Sequence, residues 1–98
     1  MPLLLELPMP PLDLVIEYNV ARGYEDAALS LARRLFARFD EAIDSLALLP
    51  VEEEDFALYL NGRLVRSQRR SGQAPKVADL LDALARSDEG WEERGGID

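Results

Sequence analysis

Arg22, Gly23 and Tyr24 stand directly ahead of a long amphipathic stretch. A guanidinium beside the free N–H groups of a helix start can hold a carboxylate or a phosphate, because charge and helix dipole act in the same direction. The competing reading is a solvated Arg22, or one paired with Glu25 or Asp26. A single glycine at this junction falls far short of a phosphate-cradling loop. A second set, Arg63, Arg66, Arg69 and Arg70, forms a basic cluster. It reads as a charged edge strand that discourages sheet pairing, or as a candidate surface for an acidic partner. Glu52, Glu53, Glu54 and Asp55 are consecutive, so their carboxylates do not converge on one metal ion, and calcium-loop spacing is absent. They read as a solvated acidic turn. Glu17 is the one carboxylate on a clearly structured strand near Arg22.

Other chemistry is excluded by composition. The 98 residues contain no Cys and no His. There is then no disulfide, thiol nucleophile, imidazole base or zinc site with Cys or His ligands in this stretch. Net charge is −8, from 19 acidic and 11 basic residues. That balance argues against a nucleic-acid site and against an anionic membrane surface. No run approaches the apolar length of a membrane helix. The apolar start carries no basic residue before Arg22, so a leader is not expected and a cytoplasmic protein is. No cofactor and no metal are expected.

These side chains must be positioned by one small domain. Residues 1–11, with Pro8, Pro10 and Pro11, read as an extended arm. Its leucines Leu3, Leu5 and Leu7 either cover the domain's own core or supply an added edge strand or a dimer contact. Leu12–Tyr18 alternates Leu14, Ile16 and Tyr18 against Asp13, Val15 and Glu17, which predicts a strand. Ala28, Leu31, Ala32, Leu35 and Phe39 share one face of a helix over residues 25–39. Glu25 and Asp26 in its first turn and Arg38 in its last match the dipole. Residues 43–51 predict a strand ended or bulged by Pro50. Phe56–Leu60 and Arg63–Arg69 flank Asn61-Gly62, a two-residue hairpin signal that demands positive φ twice. Pro75 suits the first turn of a closing helix whose apolar face is Val77, Leu80, Leu81 and Leu84. Residues 87–98 read as an acidic flexible tail in which Trp91 is either mobile or a partner's anchor. The order is β-α-β-β-β-α. Its economical arrangement is an α/β (α+β) four-stranded mixed sheet with both helices on one face.

That order, together with local residues, resembles the selenoprotein W-like (Rdx) family of thioredoxin-like proteins. The family's first strand ends in Cys-x-x-Cys or Cys-x-x-selenocysteine, followed by a small and an aromatic residue and a long helix. Here Gly23-Tyr24 fit, while Asn19 and Arg22 occupy the two redox positions. Phe56-Ala57-Leu58-Tyr59-Leu60-Asn61-Gly62-Arg63-Leu64-Val65-Arg66-Ser67-Gln68-Arg69 resembles the family hairpin. Gly72-Gln73-Ala74-Pro75 keeps the Gly and Pro of a following Gly-x-Phe-Pro but lacks its aromatic. The resemblance covers residues 12–86 and implies a thioredoxin-like fold with the redox motif replaced. An amide and a permanent cation cannot attack a disulfide. The expectation is therefore a non-catalytic module that binds a protein or ligand. One alternative is a redox-metabolism accessory protein holding glutathione or another anion at Arg22, Gly23 and Tyr24. Another is a homodimer formed through the arm.

Overall fold

The computed structural model describes residues 11–89, with side chains described through residue 86. Strand β1 is Leu12–Tyr18 and helix α1 is Glu25–Phe39, followed by a single 3-10 turn at Asp40–Ala42. Strand β2 is Ile43–Pro50, β3 is Phe56–Leu60 and β4 is Arg63–Ser67. A one-turn helix α2, Gln68–Ser71, precedes the closing helix α3, Val77–Glu89. The arm lies outside the described residues apart from the exposed Pro11, as does all of the tail except Ser87–Glu89, which α3 takes up.

The sheet order is β2-β1-β3-β4. β1 runs parallel to β2 and antiparallel to β3, and β3 is antiparallel to β4. Period-two alternation decides which residues enter the core. Leu12, Leu14 and Ile16 on β1 are buried, as are Leu58 and Leu60, their neighbours on β3. Against that face pack Ala28, Leu31, Ala32 and Leu35 of α1 and Leu80 of α3, in one continuous cluster. The other face carries Val15, Tyr59 and the partly exposed Leu49 and Leu64.

The Asn61-Gly62 turn has φ of 50° and 85°, the double positive φ that the dipeptide predicts. Asn61 also accepts a hydrogen bond from the Asp13 N–H at 2.8 Å, so the turn is tied to β1 as well as to its own hairpin.

Three expectations need correction. The fourth strand ends at Ser67 rather than Arg69, because Ser67 caps α2 by accepting a bond from the Arg70 N–H. Helix α3 begins at Val77, so Pro75 lies ahead of it; the Asp79 carboxylate accepts from the Lys76 N–H at 2.8 Å and fixes the start there. Leu81 is exposed on the outer side of α3, and Ala83 takes its place against the core.

Candidate functional site

The two positions that the resemblance marks have opposite environments. Asn19 is buried at the end of β1, only 6% exposed. Its side-chain N–H2 donates to the carbonyls of Val51 (3.0 Å) and Glu52 (3.1 Å), and its Oδ1 accepts from the Arg22 N–H at 2.8 Å. Its backbone N–H reaches the Asp55 carbonyl and its carbonyl accepts from Tyr24. A side chain with both donor and acceptor on one small plane can make all of these contacts at once. Asn19 therefore ties the β1–α1 loop to the β2–β3 connection.

Arg22 is exposed, with its Nε 4.0 Å from a Glu54 carboxylate oxygen, rather than paired with Glu25 or Asp26. Gly23 holds φ of 79°, which brings its N–H onto the Val20 carbonyl and closes the loop into α1. Tyr24 occupies the residue before α1 without capping it through its side chain. Its ring stacks on Phe56 with centroids 5.7 Å apart, which draws the residue partly into the core. The loop thus gathers Asn19, Arg22, Gly23 and Tyr24 at one end of the sheet, but only Arg22 presents a charged group to solvent there.

The acidic run is not uniformly solvated. Glu52, Glu53 and Glu54 are exposed, whereas Asp55 turns inward. Its Oδ2 accepts from the Ser67 hydroxyl at 2.6 Å, and its Oδ1 from the N–H groups of Phe56 (2.7 Å) and Arg69 (2.9 Å). Burial pushes this carboxyl up, but the bonds from Ser67, Arg69 and Phe56 outweigh it, so its pKa lies below the ordinary 3.8. Among the described residues no group of His, Cys, Asp or Glu side chains is arranged to hold a metal ion.

The four arginines are divided. Arg63 opens β4, an edge strand, and is exposed. Arg66 donates to Asp79 of α3 at 2.7 Å and is withdrawn from any shared surface. Arg69 and Arg70 project from α2, not from the strand. Desolvation raises the Asp79 carboxyl, but the bonds from Arg66 and the Lys76 N–H outweigh that rise, and the net shift is downward. Sequence reading missed both aspartates as organising groups. Asp79, three residues after Lys76, carries half of a capping-box signal. Asp55 gives no local signal, since the Ser67 and Arg69 it binds lie 12 and 14 residues away.

A cleft of about 470 Å³ opens between α1 and the approach to α3. Leu31 and Phe56 form its floor, Ala74 and Ser30 its sides, and Arg34 and Lys76 its rim. Ala74 stands where the resembling pattern has an aromatic residue. Phe56 is the wall shared with the β1–α1 loop, since its ring also meets Tyr24.

With this geometry in view, the chain matches the Rdx family model over residues 13–86. Among solved structures it is similar to a selenoprotein W-related protein from Vibrio cholerae at 21% identity and a TM-score of 0.69, covering 78% of this chain and 95% of that one. It is similar also to a protein from Bordetella parapertussis at 22% identity and a TM-score of 0.68, covering 81% and 99% respectively. No curated protein matches the chain. The β-α-β-β-β-α arrangement is the thioredoxin-like α+β fold of these neighbours.

Proposed function

The chain belongs to the Rdx family, and from that premise we propose that it is a cytoplasmic, non-catalytic member acting by binding. The observation that carries this reading is the use made of Asn19. At a position where thiol chemistry would need a reactive sulfur, the chain has a buried amide engaged in three side-chain hydrogen bonds. An amide so engaged holds two loops together and has no atom free to react.

A protein partner is the occupant this reading favours, approached through the end of the molecule that presents Val20, Arg22 and the β2–β3 connection. Val20 is 51% exposed beside Arg22, an apolar and a cationic group next to each other. The anion-site alternative rests on Arg22 alone, and Glu54, Glu25 and Asp26 oppose a negative ligand there. A homodimer through the arm is a further proposal that light scattering at high micromolar concentration tests directly.

The binding reading is tested with purified protein in two measurements. Affinity capture from source extract, with wild type and a Val20→Asp, Arg22→Glu variant side by side, should retain a partner on the first and lose it on the second. Turnover of a defined substrate by the wild-type chain overturns the reading.

A further inference from the structure

The cleft between α1 and residues 74–78 is an open, largely apolar concavity with two cationic side chains among its lining residues. Its volume, about 470 Å³, falls within the range typical of small-molecule pockets. The space exists because Ala27, Ala74 and Ala78 face it, three side chains too short to fill it. The floor, Leu31 and Phe56, belongs to the rigid core, at 5% and 2% exposed. An apolar ligand segment placed on it would be removed from water at little cost in ordering the protein.

The rim carries the selectivity. Arg34 and Lys76 are both exposed there, with Ser30 between floor and rim, and no carboxylate is among the lining residues. In a chain of net charge −8, a concave surface bordered by two cations and no acid is a local reversal of sign. Of the nearest acids, Asp79 is occupied by Arg66 and the Lys76 N–H. Arg34 enters no ion pair or side-chain hydrogen bond among the described residues.

We propose that this cleft binds a small apolar carboxylate, its hydrocarbon body over Leu31 and Phe56 and its carboxylate between Arg34 and Lys76. This deepens the binding reading and rests on it. An uncharged molecule of the same shape gains only the floor; a hydrophilic anion gains only the rim.

The probes are octanoate and 1-octanol, followed by amide chemical shifts of the full chain. Octanoate should perturb the amides of Ala27, Ser30, Ala74 and Val77 and bind roughly two- to fivefold more tightly than octanol, the range a partly solvated ion pair supplies. Arg34→Ala, an exposed position that leaves the core untouched, should bring the two affinities together. Ala74→Phe should fill the cleft and remove binding of both. Equal affinity of octanoate and octanol for the wild type overturns the proposal, as does perturbation confined to other amides. The two readings fail separately. A retained protein partner with no octanoate shift removes only the cleft, whereas substrate turnover with octanoate bound removes only the non-catalytic reading.

Discussion

Replacing Asn19 by alanine removes three side-chain hydrogen bonds, at 2.8, 3.0 and 3.1 Å, and leaves the carbonyls of Val51 and Glu52 and the N–H of Arg22 without them. Each such bond is worth about 0.5–1.5 kcal/mol net, and an abandoned group costs more where water cannot reach it. The expected loss is about 2–4 kcal/mol. In a domain of this size that lowers Tm by about 8–30 °C. Asn19→Asp is the sharper perturbation. It keeps the shape and the acceptor for Arg22, but points a carboxylate oxygen at two carbonyl oxygens where the amide donated. The folded state then disfavours the charged form, so the new carboxyl titrates above its unfolded value. A raised folded pKa on an acid means the variant is least penalised below the unfolded pKa and loses stability as pH rises toward the folded one. Urea unfolding followed by circular dichroism, from pH 4 to pH 8, reads both effects as the difference from wild type. The Ala difference should be flat across that range and the Asp difference should grow. An Ala variant within about 0.5 kcal/mol of wild type would refute the reasoning, since that is no more than one weak hydrogen bond. So would an Asp variant equal to wild type at neutral pH.

The acid limb of stability should belong largely to Asp55 and Asp79, both held below the ordinary 3.8 in the folded protein. Their contribution is complete above that value and disappears as pH falls through the depressed folded pKa; Asp55→Asn and Asp79→Asn should each flatten the fall of Tm between roughly pH 4 and pH 2. Arg66 and Asp79 should be coupled: Arg66→Ala should destabilise the wild type but do little in an Asp79→Ala background, as a double-mutant cycle in urea would read. Gly62→Ala should cost about 1 kcal/mol in the same assay, because alanine is strained at a φ of 85° even though nothing crowds a Cβ there. Asn61→Ala should cost about 1–2 kcal/mol, since it also loses the bond from Asp13.

The elements themselves are legible from local sequence. The strand at Leu12–Tyr18 and the helix at Glu25–Phe39 agree with the structure at both ends, because period two and period 3.6 are written in the apolar residues themselves. The Asn-Gly hairpin follows from the steric demand of its turn. Reading failed where a side chain's partner lies far along the chain. Arg66 looks like one of four equivalent arginines until α3 brings Asp79 against it. Ser67 and Arg69 look like the end of a strand until Asp55 and the Ser67 hydroxyl draw the backbone into a turn of helix. The cleft has no sequence signature, since alanines at 27, 74 and 78 are unremarkable until two elements face each other across them.

Composition alone removed thiol and imidazole chemistry from these 98 residues, since an absent residue type needs no geometry to be excluded. Periodicity gave the elements and their order, because each depends on residues a few positions apart. The tertiary structure decided what stands at the two altered positions. It buried Asn19 and wired it to Val51 and Glu52, 32 and 33 residues away, and left Arg22 at the surface near Glu54. Burial and long-range hydrogen bonding depend on the whole packed chain, so the role of Asn19 became visible only when the ends of three segments were seen together.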